Sequence, residues 1–371
     1  MTLKQTDNPI VMTLDAGGTN LVFSAVSNQQ EIVEPYVLPA HGHDLDKCLR
    51  NIINGFEAIV SKLKEKPVAI SFAFPGPADY ANGIIGDLGN LPGFRGGVAL
   101  GPMLEDRFGM PVFINNDGDL FAYGEAMFGL LPYVNHKLKE QGSIKQFHNL
   151  AAFTLGTGFG GGLVCNGQLF RGDNGVAAEV WLLRNPMDES INAEESISAR
   201  AITGEYKNLG GNGGGDLTPR DVYDIAKGLK KGNQQAALDS FTRFGRALGM
   251  AVAEVATLTD SLIAIGGGLA SAQDLFFPAM ISELNGSFAT PSGDTIPRLI
   301  MKVHNLDNDE DFSRFAQGQS STIQVPYSSR QIEYDPAKRI GVGVSRLGAS
   351  KAISLGAYAY ALNELGVIKN Q

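Results

Sequence analysis

The sequence has few cysteines, which limits the kinds of site it can form. Only Cys48 and Cys165 occur among 371 residues, and neither belongs to a C-x-x-C pair or a Cys/His cluster with metal-ligand spacing. We therefore predict neither a disulfide framework nor a zinc site. His41 and His43 have a spacing that could suit a metal, but no third ligand is nearby. A solvated loop is the favoured interpretation of that pair.

Basic blocks and long apolar runs are also missing. The chain has 30 basic and 39 acidic side chains, a net charge of −9, and no basic segment that could follow a nucleic-acid backbone. Its most apolar stretch, 248–269, is interrupted by Glu254 and Asp260, and residues 1–9 are polar, unlike a signal peptide. We predict a cytoplasmic protein that binds neither nucleic acid nor membrane.

The order of strand and helix patterns predicts an α/β protein with two lobes. At 371 residues the chain exceeds one typical core. Strand patterns at 10–14 and 21–26 are followed by an amphipathic helix at 45–64 and a strand at 68–74, which indicates a mixed sheet. We place the N-terminal lobe at residues 1–116 plus 350–371, and the C-terminal lobe at 117–349.

Further patterns extend this organisation along the chain. A strand is predicted at 111–114, and the helices are predicted at 120–128, around 194–203, at 218–230, 234–257 and 352–365. Two polar stretches, 131–149 and 305–346, are predicted to be inserted loops. The acidic run Asp307–Asp311 within the second stretch is predicted to be a solvated surface rather than a metal site.

A glycine-rich pattern occurs twice, each time directly after an apolar strand. The first copy contains Gly17, Gly18 and Thr19, and the second contains Thr157 and Gly158. Glycine lets backbone N–H groups approach phosphate oxygens, so two such turns could hold one polyphosphate. A third strand-then-glycine unit ends near Gly267. None is a Walker A loop or a good dinucleotide fingerprint, and an ordinary turn remains the alternative for each.

Two aspartates follow predicted strands and could carry the chemistry. Asp15 lies beside the first glycine turn, where its carboxylate could bind Mg²⁺ through water; it could instead only cap the turn. Asp117 follows the strand at 111–114 and could accept a proton from a hydroxyl that attacks a phosphate. Its alternative role is a helix N-cap, which Asp119 could fill equally well.

Four further polar residues could bind a polyhydroxylated substrate. Asn90 lies in a Gly- and Pro-rich loop, Asn116 adjoins Asp117, and Glu179 and Glu194 follow the second glycine turn. Amides and carboxylates provide the donors and acceptors that sugar hydroxyls need. Glu179 and Glu194 could equally be ordinary surface carboxylates.

Eight motifs together resemble the ROK family of sugar kinases, repressors and related proteins. They are LDAGGTN (14–20), FAFPGPAD (72–79), GNLPGF (89–94), NNDGDLFAYGEA (115–126), TLGTGFGGGLV (154–164), GVAAEV (175–180), EESISARAI (194–202) and AIGGGLA (264–270). The resemblance implies a two-lobed actin-like ATPase (ribonuclease H-like) fold with an interdomain cleft that holds ATP, Mg²⁺ and a hexose.

The resemblance also implies a role for each candidate residue. Asp117 would be the general base. The sugar would contact Asn90, Asn116, Asp117, Glu179 and Glu194. The nucleotide would be lined by Asp15, Gly17, Gly18, Thr19, Thr157, Gly158 and Gly267.

Some positions depart from the family pattern. Leu182 stands where many members have a histidine that contacts the sugar, and the cysteine-rich zinc loop is missing. Asn20 and Asp119 replace a frequent lysine and asparagine. The expected function is an ATP-dependent hexose kinase acting on the 6-hydroxyl, as a homodimer. The alternatives are a repressor, disfavoured because the strand at residue 10 leaves little room for a helix-turn-helix, and a non-catalytic sugar-binding or regulatory protein.

Overall fold

The computed structural model describes residues 8–185, 187–211 and 217–367. The polar start predicted at 1–9 lies mostly outside this range. From the first strand to the third helix, the elements are β1 (Val11–Ala16), β2 (Asn20–Ser27), β3 (Gln30–Glu31), β4 (Tyr36–Pro39), α1 (Leu45–Lys62), β5 (Ala69–Ala73), β6 (Ala78–Asp79), β7 (Ile84–Ile85), α2 (Leu100–Phe108), β8 (Val112–Asn115) and α3 (Asp117–Met127).

The remaining elements complete the chain, together with short 3-10 turns at Val180–Leu182, Ala193–Glu195 and Gly268–Ala272. They are α4 (Leu130–Glu140), β9 (Leu150–Leu155), β10 (Phe159–Cys165), β11 (Gln168–Leu169), α5 (Ala199–Asn208), α6 (Pro219–Ala226), α7 (Gln234–Thr259), β12 (Leu262–Gly266), α8 (Gln273–Leu284), β13 (Ser287–Ala289), β14 (Thr295–Pro297), β15 (Lys302–Asn305), α9 (Asp309–Gln317), β16 (Ser321–Gln324), β17 (Gln331–Tyr334), β18 (Arg339–Val344) and α10 (Ala349–Glu364).

The contacts divide the chain into two units. Unit 1 comprises the residues up to Phe128, Gly162–Ala177, and those from Ser350 onward; unit 2 comprises Gly129–Gly161 and Ala178–Ala349. Helix α3 therefore groups with unit 1, whereas the boundary predicted from the sequence places it in the C-terminal lobe. The lobe boundaries given from the sequence stay a prediction.

The sheet of unit 1 brings the ends of three parallel strands to one edge. Its order is β3–β2–β1–β5–β8, with β4 beside β2. Strands β1, β5 and β8 are parallel, and β1 and β2 form an antiparallel pair. Parallel strands end at the same side of a sheet, so the residues after β1 and β8 share one edge.

One face of this sheet packs on α1. The helix begins after Asp44, whose side chain accepts the Lys47 N–H at 3.1 Å. The rings of Phe56 in α1 and Phe23 in β2 are 5.1 Å apart in an edge-to-face arrangement. Both side chains are fully buried, and burying a side chain of this kind stabilises the fold by about 1.5–3 kcal/mol.

Helices α3 and α10 in unit 1 pack with their backbones in contact. A Cβ atom on Gly356 would collide with the carbonyl oxygen of Leu120, and one on Gly124 would collide with that of Ala352. Each helix therefore needs a glycine where it meets the other. This close packing joins the end of the chain to the helix that begins at Asp117.

Unit 2 has a second sheet, in which β9, β12, β18 and β15 are parallel neighbours in that order. Strand β10 lies on the other side of β9. Residues Ile263 and Ile265 of β12 are fully buried, as is typical of a central parallel strand. Two separate antiparallel hairpins, β13–β14 and β16–β17, also belong to this unit.

Both stretches predicted to be loops contain regular structure, so those predictions were wrong. In 131–149, Leu131, Val134 and Leu138 are buried on one side of α4. The helical spacing of these residues was masked by the polar side chains between them. The stretch 305–346 contains α9 and the strands β16, β17 and β18.

The acidic run 307–311 is also not simply solvated. Asp307 pairs with Arg346 at 2.6 Å. Asp311 accepts the Asn305 N–H at 2.6 Å and contacts His304 at 2.8 Å. Burial alone would raise the pKa of Asp311, but these hydrogen bonds lower it overall. Two carboxylates of the run therefore have structural partners.

Other predicted elements are confirmed, including β1, β2, α1, β9, α7 and α10, with bounds shifted by a few residues. Among the described helices, none is both long and apolar enough to cross a bilayer.

We expect Gly356→Ala to lower the thermal unfolding midpoint by about 3 °C or more, because overpacking costs about 1–3 kcal/mol. Gly204→Ala is the matched control, since a Cβ there meets no atom within 4 Å and the site lies inside α5. The control should unfold at the same temperature or slightly higher. Equal midpoints for both variants would contradict the helix contact.

Candidate active site

Two aspartates lie at the edge of the unit 1 sheet where its parallel strands end. Asp15 is near the end of β1, and Asp117 directly follows the β8 strand and Asn116. Strand β5 separates β1 from β8, which puts the two strand ends about 10 Å apart. Both aspartates are exposed to solvent. The edge therefore presents two accessible carboxylates.

The N-cap of α3 is Asn116. Its side-chain oxygen accepts the Gly118 N–H at 2.7 Å. An oxygen of Asp117 accepts the same N–H at 2.9 Å. Asp119, the other cap suggested by the sequence, is buried within the first turn. Since Asn116 fills the cap position, Asp117 is the first residue of the helix and remains accessible.

The surroundings of Asp117 raise its pKa. Desolvation is the main cause; the Gly118 N–H acts in the opposite direction, and the negative charge of Asp15 raises the pKa further. Water reaches the carboxyl group, but the crowded protein atoms around it weaken its hydration. Asp117 therefore holds a proton to a higher pH than an ordinary aspartate, as is frequent for functional acids and bases.

The first glycine turn leaves room beside Asp15. The Gly17 N–H donates to the Asn20 carbonyl at 3.0 Å, which closes the turn between β1 and β2. A Cβ atom on Gly18 would meet nothing within 4 Å. Gly17, Gly18 and Thr19 are all exposed. A ligand could therefore approach the backbone of this turn closely.

The second and third glycine turns pack together in unit 2. Strands β9 and β12 are parallel, with Thr154 opposite Gly266. Gly267 has a φ of +86°, and a Cβ atom there would collide with the Leu155 backbone. The Gly156 N–H donates to the Gly158 carbonyl at 3.0 Å. The two turns thus form one compact loop cluster at the strand ends.

Glu194 is tied to the second glycine turn. Its Oε2 accepts the Phe159 N–H at 2.9 Å, and its Oε1 pairs with Arg200 at 2.8 Å. A Cβ atom on Gly158 would lie 2.5 Å from Glu194 Oε2. Arg200 also donates to the Thr157 carbonyl at 3.3 Å. The structure thus brings together three predicted residues: Thr157, Gly158 and Glu194.

Sequence reasoning missed Arg200, which pairs with both Glu194 and Glu195. Hydrogen bonds from Arg200 to Glu195 and then Glu194 raise the pKa of the guanidinium further. Glu194 and Arg200 are six residues apart across a 3-10 turn and the start of α5, a spacing that gives no sequence signal.

Glu179 has an aromatic partner in its own segment. The indole Nε1–H of Trp181 donates to Glu179 Oε2. Leu182, at the position of the family histidine, is 59% exposed. The tryptophan therefore restrains the carboxylate while the leucine next to it is left in solvent.

Asn185 organises the segment between Glu179 and Glu194. It is fully buried. Its Nδ2 donates to the Asn192 carbonyl at 2.8 Å and to Ser196 Oγ at 2.9 Å, and its Oδ1 accepts the Met187 N–H at 2.8 Å. The sequence analysis did not single this residue out. A buried amide with partners on both sides fixes the conformation of a loop.

Asn90 lies on an exposed loop of unit 1, and Arg95 stabilises the conformation of this loop. The guanidinium donates to the carbonyls of Leu88 and Phe94, both at 2.7 Å. The Gly96 N–H donates to Asp87 at 2.7 Å. The structure thus presents Asn90 on an ordered loop in the same unit as Asp15 and Asp117.

Among the described residues, no three His, Cys, Asp or Glu side chains converge as a metal-binding group. The prediction that the chain has no zinc site remains a prediction.

The sequence model of the ROK family matches residues 11–308. The chain belongs to the ROK family. The N-acetyl-D-glucosamine kinase of Vibrio cholerae is 28% identical over 283 residues, 72% of this chain and 86% of that protein. The glucokinase of Halalkalibacterium halodurans is 27% identical over 285 residues, 70% of this chain and 81% of that protein.

Solved structures extend the comparison. The glucokinase of Parabacteroides distasonis is 51% identical, with a TM-score of 0.90 over 96% of this chain and 98% of that one. A ROK family glucokinase from Streptomyces griseus, solved with glucose and AMPPNP, is 19% identical, with a TM-score of 0.57 over 94% and 98% of the two chains. The expected α/β, actin-like ATPase fold of the ROK family is confirmed.

We expect Gly267→Ala to lower the thermal unfolding midpoint, because a side chain at this φ is strained and has no room beside Leu155. The adjacent Gly268→Ala is the control, since its Cβ meets no atom within 4 Å. Gly268→Ala should unfold with the wild-type midpoint. If Gly267→Ala does the same, the close packing of the two turns is wrong.

Proposed function

We propose that this chain is an ATP-dependent hexose kinase that transfers the γ-phosphate of MgATP to a sugar hydroxyl, the 6-hydroxyl of a glucose-like sugar. The observation that carries the proposal is the pair of accessible carboxylates, Asp15 and Asp117, at one sheet edge, with the pKa of Asp117 raised. The 51% identical relative named glucokinase supports it.

In this proposal Asp117 is the general base. It accepts the proton of the sugar hydroxyl as that oxygen attacks phosphorus. A raised pKa brings the carboxylate closer to the pKa that suits a base near neutral pH. Asn90, Asn116, Glu179 and Glu194 are proposed to hold the remaining hydroxyls. The hydrogen bonds of Trp181 to Glu179 and of Arg200 to Glu194 would hold these carboxylates in position.

The nucleotide is proposed to contact the glycine turns that follow the strands. The proposed residues are Gly17, Gly18, Thr19, Thr157, Gly158 and Gly267. Asp15 fits Mg²⁺ because its oxygens are hard and exposed, beside the open backbone of Gly18. When bound, Mg²⁺ neutralises phosphate charge.

A small cavity in unit 2 lies beside the third glycine turn. It has a volume of about 70 Å³ and adjoins Gly268 and Leu269 of the third glycine turn. Tyr223, another lining residue, has the Arg220 guanidinium 5.3 Å from the centre of its ring. Flat aromatic and guanidinium surfaces favour stacking with a base. We propose that the base lies against Tyr223.

The sugar needs to be found by experiment, because the relatives named above include both a glucokinase and an N-acetyl-D-glucosamine kinase. The first assay is therefore ADP release over a panel of hexoses and N-acetylhexosamines, with ATP, GTP and polyphosphate as donors. We further propose that the enzyme is cytoplasmic and a homodimer.

We expect Asp117→Asn to lower kcat by about 10²–10⁴-fold while the sugar still binds, since the amide cannot accept the proton. Turnover is measured with the best sugar of the panel, and sugar binding by calorimetry. Asp173→Asn, an exposed carboxylate of the same unit, is the control and should keep wild-type kcat. Unchanged turnover in Asp117→Asn would reject Asp117 as the base. No turnover with any sugar in the wild type would favour a non-catalytic sugar-binding protein.

The pH dependence tests the coupling between the two aspartates. The base works when ionised, so kcat/KM should fall as pH drops through the raised pKa of Asp117, above the usual aspartate range. Asp15→Asn removes a negative charge that raises this pKa. Its remaining activity should therefore have an acid limb at lower pH than wild type. An acid limb that stays in place or moves to higher pH would contradict the coupling; Asp173→Asn should leave the limb unchanged.

A further inference from the structure

A cavity in unit 1 is lined by strands β1 and β2 and by helix α10. It has a volume of about 690 Å³, and its lining residues all belong to unit 1. Cavities that bind small molecules typically have volumes of about 300–1,000 Å³. We call this space the α10 cavity.

The α10 cavity lies on the face of the sheet that points away from α1. Its lining includes Thr13 and Asp15 of β1 and Val22 and Ser24 of β2. Thr13 is opposite Ser24, and Asp15 is opposite Val22. Opposed residues point to the same side of a sheet, and so do residues two apart in a strand. The intervening Phe23 points the other way and contacts α1.

Ser24 presents a buried hydroxyl to this cavity. The residue is only 4% exposed, and its Oγ has no hydrogen-bond partner among the described residues. Thr13, directly across from it, is 5% exposed. Burying a hydroxyl without a partner destabilises a fold, and each such group in a native structure calls for an explanation. A bound molecule with polar groups would provide the missing partner.

The rest of the lining mixes polar and aliphatic side chains. Hydroxyls and amides both donate and accept hydrogen bonds, as sugar hydroxyls require. Aliphatic side chains suit the C–H groups on the faces of a sugar ring. The polar members are Gln29, Gln30, Ser350 and Ser354, and the aliphatic members include Val26, Ile353 and Leu355.

The charges of the lining disfavour an anion. Asp15 and Glu31 are acidic, and Lys351 is the basic member of the lining. A phosphorylated molecule would therefore meet more negative than positive charge. Among sugar-like molecules, the lining favours an uncharged one.

Most of the α10 cavity is separate from the candidate active site. Of the residues assigned to that site, only Asp15 borders the cavity. Val22 is opposite Asp15, whereas Val26, four residues further along β2, pairs with Glu31. Four residues of a strand span about 13 Å. The cavity thus extends along the strands from Asp15 toward Glu31, away from the sheet edge.

We propose that the α10 cavity binds an unphosphorylated monosaccharide, at a site additional to the catalytic one. Thr13 and Ser24 form hydrogen bonds with its hydroxyls, and Ile353 contacts its C–H groups. This assignment goes beyond the proposed reaction, in which none of these three residues takes part.

The test compares glucose binding to wild type and to Ser24→Val by equilibrium dialysis and calorimetry. Ser24→Val removes the hydroxyl and fills part of the cavity with a side chain that suits a strand. At saturation, wild type should bind one more molecule of glucose per chain than Ser24→Val. Ser24→Ala should bind this additional molecule about fivefold more weakly, because it loses one hydrogen bond.

Ser27→Ala is the matched control. Ser27 lies in the same strand but on the opposite face, and its hydroxyl donates to the Asn8 carbonyl at 3.2 Å. This variant should bind as much glucose as wild type. Unfolding midpoints verify folding: Ser24→Ala should unfold at the wild-type temperature or above, because its hydroxyl has no partner to lose, and Ser27→Ala should unfold slightly lower.

Glucose 6-phosphate tests the charge of the ligand and should not occupy the α10 cavity. The proposal would be overturned by equal glucose binding to wild type and Ser24→Val, or by an equal loss in Ser27→Ala. Occupation of the cavity by glucose 6-phosphate as strongly as by glucose would overturn it too. Glucose bound in the cavity of a chain that turns over no sugar would instead count against the kinase proposal alone.

Discussion

The candidate site of unit 1 depends on the parallel pairing of β1, β5 and β8. This pairing carries the residues after β1 and β8 to the same edge, which brings two like charges within electrostatic reach of each other. Loss of hydration is the main cause that favours the protonated form of Asp117, and repulsion from Asp15 adds to it. The first turn of α3 opposes this only in part, through the backbone N–H groups of Gly118 and Asp117, and the Gly118 N–H is shared with Asn116. Sheet topology thus adds the charge of Asp15 to the desolvation that raises the pKa of Asp117.

Close backbone contacts hold the surrounding elements in place. Glycines let α10 cross α3 directly, and Gly267 lets the third glycine turn rest on the end of β9. A close-packed interior has no free volume to accommodate even one added carbon atom. These close backbone contacts fix the start of α3 and the third glycine turn.

In unit 2, hydrogen bonds between side chains hold the candidate residues in place. Trp181 and Arg200 donate hydrogen bonds to the predicted residues Glu179 and Glu194, and Asn185 fixes the segment that links these two glutamates. In this unit the carboxylates that the sequence offered as sugar ligands already have protein partners. Such partners keep a side chain in one orientation, which is what a binding site requires. A sugar would have to use the oxygen lone pairs that remain available.

The sequence by itself determined many of the strands and helices, the glycine turns after three strands, and the family to which the chain belongs. These follow from local patterns: apolar periodicity, turn residues, and motifs read over a few positions. It did not predict α4, because polar residues between its buried leucines obscured the period, nor the structural roles of Asp307 and Asp311. Asp307 pairs with Arg346, 39 residues later in the chain, and a pairing over that sequence separation produces no local sequence pattern.

Only the tertiary structure decided which side chains meet and which surfaces stay uncovered. Strand pairing placed Asp15 near Asp117, and the path of the chain brought Arg200 to Glu194. Apolar and polar residues alternate in β16 and β17, a pattern that also occurs in sheets with one covered face. The fold nevertheless leaves both faces of this strand pair in solvent. The physical reason is the same in each case: local propensity selects the conformation of a segment, whereas burial and partner choice depend on contacts between residues far apart in the chain.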